Sequence, residues 1–422
     1  MNTQLNDPGM APGRFTLQTS GEILEAYFSY YGGLKKAKEE GKPVVWVFGC
    51  SPREILHAAD ATAVYLEHLP FILGLQGQGS HYMQIAEEHG FSKDTCGTHR
   101  CFLGCGFSKA EERDPFLNQN FAAPDLILVD NFPCMSESKS FLAMADHYKC
   151  PYYIIDTPIN TWGAHPPGHA LEYVKGQIEG AINFLAENGL NIDRDKLKEA
   201  VRLTKQSISL WRKINDLRKI PPTVMGSMDG LATAVLLMSV LPPGQAVALL
   251  KKAHNELKEK IDQKNSFVAE EKLRLMFWGV PPTYDMQLLD SVEKYGAVFS
   301  SSMIECATGG SCDPSYMDPD KPLKSIAHRM LVDVLNPLTD NMVKHVIQDL
   351  KDFSIDGLVL SVKRSCGLLP GFIRQIIDAA YKEVGVPAMI VEIDGMDHRE
   401  YDYVAARANL DSFVETLIAS KQ

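Results

Sequence analysis

The 422-residue sequence has no run of lysine or arginine, no apolar stretch of membrane length and no close Cys-x₂-Cys pair. The formal charge of -11, with no local basic run to offset it, excludes a phosphate-backbone binder, so no nucleic acid partner is expected. The most apolar run, Leu231 to Leu241, stops at Pro242-Pro243. A bilayer needs roughly 20 such residues, so no membrane association is expected either. The start, Met1 to Asp7, lacks the charged-then-apolar order of a secretory signal, and a cytoplasmic location follows as an expectation. There is no G-x-x-x-x-G-K-[ST] loop and no G-x-G-x-x-G after a strand. Any nucleotide hydrolysis linked to this chain must therefore happen on another protein. Without Cys-x₂-Cys pairs, a structural zinc site is not indicated.

What is present is a folded chain, 45% apolar and 23% charged, long enough for two or three domains. It holds nine cysteines, an odd number. In a reducing compartment this favours metal or redox chemistry over disulfides.

Two stretches organise the rest. Asp125-Leu-Ile-Leu-Val-Asp-Asn-Phe-Pro-Cys134 and Gly357-Leu-Val-Leu-Ser-Val-Lys-Arg-Ser-Cys366 each show a buried strand, a turn and then a helical pattern. Cys134 and Cys366 thus occupy equivalent places at the carboxyl ends of strands, where ligands bind in open α/β sheets. Further strands are expected at Pro43–Phe48, Pro151–Asp156, Arg274–Gly279, Ala297–Ser302 and Pro387–Asp394, with residues 1–20 as an irregular arm. Between Gly168 and Lys264 the pattern is long helices only. The expected architecture is α/β: two doubly wound parallel-sheet domains, Rossmann-like or flavodoxin-like, over 1–165 and 266–422, joined by a helical segment over 166–265.

Cys50, Cys134, Cys306 and Cys366 all fall at or just past strand ends, and Cys96, Cys101 and Cys105 are expected in a Gly-rich loop leading to the same rim. If the two sheets face each other, these sulfurs converge. Cys150, at a strand start, is read as a small buried hydrophobe. Dispersed thiolates suit an iron–sulfur group, and Cys96-x₄-Cys101-x₃-Cys105 comes near a ferredoxin spacing without matching it. His99 and Arg100 are candidates to tune such a group or to face solvent, and Lys363-Arg364 to hold phosphates or to sit on the surface. His165, His169 and the tryptophans Trp162, Trp211 and Trp278 are read as structural.

Glu39-Glu-Gly-Lys-Pro-Val, Pro52-Arg-Glu-Ile-Leu, Ser92-Lys-Asp-Thr-Cys96, Ala123-Pro-Asp125 leading to Cys134, Arg274-Leu-Met-Phe-Trp-Gly-Val-Pro281, Lys363-Arg-Ser-Cys366-Gly and Val391-Glu-Ile-Asp394 with Asp397-His-Arg follow one another along the chain. In this order they resemble the 2-hydroxyacyl-CoA dehydratase and benzoyl-CoA reductase family, the D-component of 2-hydroxyglutaryl-CoA dehydratase. The resemblance implies a [4Fe-4S] cluster held by Cys96, Cys134 and Cys366, an acyl-CoA substrate, a homologous iron–sulfur partner subunit and a separate ATP-hydrolysing iron–sulfur activator. It implies one-electron reduction of an acyl-CoA to a ketyl radical anion, leading either to loss of a 2-hydroxyl group or to reduction of an aromatic ring. Glu67 falls near a family acid at the active site. Gly49-Cys50 stand where dehydratase large subunits carry small hydroxyl residues. Cys50, Cys101, Cys105, Cys306 and Cys312 exceed the three ligands required; they are either bystanders or, as in a third branch of the family that reduces small molecules, ligands of a double-cubane [8Fe-9S] cluster. A non-catalytic cluster carrier or ligand-binding protein with the same fold is the reading from another class.

Overall fold

The computed structural model describes residues 13–65, 68–133, 135–238, 241–307, 312–333, 335–336, 339–363 and 365–421. Two four-stranded parallel sheets form the frame. The first is built from β1 (Val44–Val47), β2 (Thr62–Tyr65), β3 (Leu126–Asp130) and β4 (Tyr152–Ile155) in the order β2-β1-β3-β4. The second, from β5 (Leu273–Trp278), β6 (Ala297–Ser302), β7 (Gly357–Val362) and β8 (Ala388–Glu392), has the same order, β6-β5-β7-β8. The two halves therefore share one topology. In each, the chain leaves the first strand for one side and returns to the other, so a crevice opens past the carboxyl ends of β1 and β3, and likewise of β5 and β7.

Burial explains why the central strands read as unbroken apolar runs. Every residue of β1, β3, β5 and β6 is buried, because helices cover both faces. The edge strands β4 and β8 leave Tyr152 and Ile390 half in solvent. The strand β2 was not among the expected strands: four residues between Asp60-Ala61 and the next helix carry too little pattern to declare themselves, and pairing with β1 decides the matter. Of the expected arm over 1–20, residues 1–12 lie outside the described residues, and a helix already starts at Gln18.

The long helices are Gly168–Glu187, Arg194–Arg218, Ser227–Val235 and Pro243–Asp262. Gly189 in the left-handed region ends the first, the Asp193 carboxylate caps the second, and Pro243 opens the last at a position where its missing N–H costs nothing. Val174, Ile178, Leu185, Val201, Trp211 and Leu250 belong to the same hydrophobic core as β1 and β3. The second helix also reaches the other sheet. Arg218 pairs with buried Glu305 at 2.8 Å and donates to the Ser300 carbonyl, while Trp211 donates to the Glu305 carbonyl. Trp278 is likewise core, and Trp162 is half-buried against the first core. No helix among the described residues is long and apolar enough to cross a membrane.

Candidate functional site

The two halves meet around Cys96. The residues expected to form a loop there are instead a helix, Gly97–Phe107, with Cys96 at its N-terminal boundary. Gly97, Gly104 and Gly106 suggested a loop, yet each glycine is closely packed, Gly104 against backbone and the other two against side chains. A Cβ at Gly104 would stand 1.7 Å from the Tyr82 carbonyl oxygen, one at Gly106 2.3 Å from Met144 Sδ, and one at Gly97 2.3 Å from Asp394 Oδ1. The glycines let this helix lie against its neighbours and let Cys96 approach the second half closely.

From the second half, β7 ends at Val362 and Lys363 turns inward, only 3% exposed. Its Nζ lies 3.6 Å from Cys96 Sγ, 3.2 Å from Thr98 Oγ1 and 3.7 Å from Asp394 Oδ1. Burial opposes the charge, but Cys96, Asp394 and Cys366 outweigh it and hold the ammonium above the ordinary lysine range. Lys363 is thus neither of the surface roles considered for it, because the strand end directs it into the contact between the halves. Arg364 lies outside the described residues. Cys366 sits on the turn that follows, and its Sγ accepts the Leu369 backbone N–H at 3.4 Å. Ser365 donates to Asp394 Oδ2 at 2.7 Å and accepts from the Gly97 N–H at 3.4 Å. Asp394, just past β8, also receives the Met396 and Asp397 N–H groups; burial works against its charge, but the Lys363 ammonium, together with these hydrogen bonds and that from Ser365, holds its carboxyl below the usual range.

Around this centre runs an ion-pair network. Arg100, 3% exposed, reaches Glu87 at 2.6 Å and Asp397 at 3.2 Å, and Arg399 reaches the same two carboxylates at 2.6 Å each. His99 is buried as well, and burial together with the Lys363 charge pushes its imidazole down to about 4. A polar cavity of about 340 Å³ borders the site, lined by Lys93, Arg100, Ser365, Asp394, Asp397 and Arg399 among others.

Of the expected sulfurs, Cys96 contacts Lys363 and Cys366 lies on the turn that follows Lys363. Cys134 lies outside the described residues, between the end of β3 and the helix Met135–Tyr148. Glu67 lies outside them too. Cys101 and Cys105 do not lead to the rim: they sit one turn apart on the Cys96 helix, buried in the first core, and burial with the Cys101 neighbour pushes the Cys105 thiol well up. Cys50 is buried in the same core. Cys306 stands 3.5 Å from Ser301 Oγ, its thiol raised by burial and by the Asp349 carboxyl. Cys312 packs in the first core beside the helix Pro322–Leu331, its thiol pushed up to about 12 by burial. Cys150 is half-buried at the start of β4, and His165 bonds to the Tyr316 hydroxyl. Among the described residues, no group of three or more His, Cys, Asp or Glu stands in a metal-holding arrangement. Ser365 and Asp394 are the site residues that ranking by cysteine overlooked, and Lys363 was considered for other roles. A signal existed for Lys363: it directly follows an apolar strand, at the carboxyl end where ligands gather.

The family model of the 2-hydroxyglutaryl-CoA dehydratase D-component matches residues 49–417. The chain belongs to that family. Its relatives include the (R)-phenyllactyl-CoA dehydratase alpha subunit of Clostridium sporogenes, 24% identical over 92% of each chain. The (R)-2-hydroxyisocaproyl-CoA dehydratase alpha subunit of Clostridioides difficile is 24% identical over 93% of this chain and 94% of its own. A benzoyl-CoA reductase polypeptide of Thauera aromatica is 22% identical over 91% of each. The match begins just past β1 and takes in the other seven strands and the helices between the two sheets.

Proposed function

We propose that this chain is the iron–sulfur subunit of a cytoplasmic, low-potential enzyme that acts on acyl-CoA thioesters together with a homologous partner subunit and an ATP-dependent activator. The observation that carries the reading is a buried ammonium at the carboxyl end of β7, three residues before Cys366, that reaches Cys96 of the other half at 3.6 Å. The donor set suits a [4Fe-4S] cluster. One thiol stands at a helix N-terminus, a second receives a backbone N–H, and the Lys363 ammonium contacts the first. Cys96, Cys134 and Cys366 would hold the group. When bound, it supplies an electron at very low potential and, with only three cysteines, an iron position open to a thioester carbonyl.

The chain's own residues do the rest. Asp394 and Ser365 fix the turn that carries Cys366 against the Cys96 helix. Arg100, Arg399, Glu87 and Asp397 tie the halves together beside the sulfurs. Glu67 is the candidate acid near the substrate. The separate settings of Cys50, Cys101, Cys105, Cys306 and Cys312 favour bystander roles over a double-cubane cluster.

Dehydration of a 2-hydroxyacyl-CoA is the favoured reaction, because dehydratase alpha subunits are the more similar relatives. The test combines anaerobic protein, its partner, activator, ATP and reductant with 2-hydroxyacyl-CoA and benzoyl-CoA substrates, and follows products by mass spectrometry. An enoyl-CoA product is expected. A dienoyl-CoA from benzoyl-CoA would move the assignment to ring reduction, and binding without conversion of any substrate would favour a non-catalytic carrier.

A further inference from the structure

Lys363 is an expensive residue to place where it stands. Its ammonium is withdrawn from water, and its contacts come from two segments: Cys96 and Thr98 on one half, Asp394 on the other. If only a structural pair were needed, an apolar pair of the same volume would serve as well or better, since burying two charges costs more than their attraction returns unless the geometry is close. Here the geometry is not close. The carboxylate is 3.7 Å away, farther than the sulfur at 3.6 Å and the hydroxyl at 3.2 Å. The side chain is aimed at sulfur at least as much as at its counter-ion. Asp394 in turn is anchored by Ser365 and two backbone N–H groups, so it serves as a fixed stop behind the ammonium.

We propose that Lys363 is a positioning residue that sets the reduction potential of the iron–sulfur group, acting as a fixed counter-cation to the Cys96 and Cys366 thiolates. This rests on the cluster reading given above. The physics is direct. A reduced cluster carries one more negative charge than an oxidised one, so a cation held in a low-dielectric site beside its ligands favours the reduced form and raises the potential. The same charge offsets the mutual repulsion of thiolates drawn from opposite halves, which links closure of the crevice to the poise of the cluster.

The experiment is a mediated spectroelectrochemical titration, with an electrode as the electron source, on anaerobically purified wild type, Lys363→Met and Lys363→Arg, with iron and sulfide measured on each. With iron retained, Lys363→Met should shift the reduced-to-oxidised ratio at a given electrode potential at least tenfold toward oxidised, a fall of about 59 mV for a one-electron couple. Lys363→Arg, which keeps the charge, should stay much nearer wild type. An unchanged midpoint in iron-replete Lys363→Met would overturn the proposal. If Lys363→Met fails to hold iron, Asp394→Asn decides: removing the negative charge while keeping the ammonium should move the midpoint up, and no movement or a fall would overturn it. Absence of iron from the wild type would instead defeat the cluster reading itself.

Discussion

Single side chains at this site are governed by what burial does to charge. Asp349 illustrates it away from the centre: burial raises its carboxyl from 3.8 to about 6, outweighing the hydrogen bond from Cys306. A carboxyl whose folded pKa is raised contributes stability that is fully present below about 3.8 and lost as pH rises through about 6. Asp349→Asn removes that loss. The variant's gain in melting temperature over wild type should therefore be larger at pH 8 than at pH 5; equal gains would contradict the assignment. The opposite sign applies to His99. Its imidazole is pushed down to about 4, so its contribution is present above about 6.5 and lost on acidification toward 4. At this scale the sequence disclosed the thiols but not their company. Cys96 and Cys366 stand in stretches that can be read directly, whereas the Lys363 contact joins positions 267 residues apart, and no local pattern encodes which way a lysine turns after a strand.

At the scale of elements, the helix Gly97–Phe107 is the instructive case. Three glycines in eleven residues argue against a helix on propensity, and tertiary packing overrides that because each glycine faces an atom that leaves no room for a Cβ. Gly97→Ala should separate the Cys96 helix from Asp394 and destabilise the fold by about 1–3 kcal/mol, the usual cost of overpacking; calorimetric melting unchanged from wild type would show that the contact yields freely. The same helix carries Arg100. Removing a buried partner strands its carboxylates, so Arg100→Met should cost about 3 kcal/mol or more, while Arg399→Met, at a site about one-third exposed, should cost about 1 kcal/mol or less. Urea unfolding of both variants checks this, and equal losses would mean that burial does not decide the network. Strands β3, β5, β6 and β7 were legible because both faces are covered; β2 was not, since four residues at a sheet edge show no period.

Across the whole molecule, two sheets of identical strand order place their third strands so that Cys366 and the residues leading to Cys134 stand at equivalent carboxyl ends. That symmetry was visible in the sequence as two apolar runs ending in cysteine, both within the span 49–417 that the family model matches. What the sequence could not show was the sorting of nine cysteines. Strand-end position put Cys50 and Cys306 on the same footing as Cys366, and only packing separates sulfurs in the apolar cores from those beside the inter-half cation. The measurement that tests the account most directly is iron and acid-labile sulfide per chain in protein purified without oxygen, for wild type, Cys366→Ser and Cys306→Ser. The account predicts about four irons in wild type and in Cys306→Ser, and a large loss in Cys366→Ser. About eight irons, falling in Cys306→Ser, would support a double cubane instead; wild-type protein without iron would contradict the central claim.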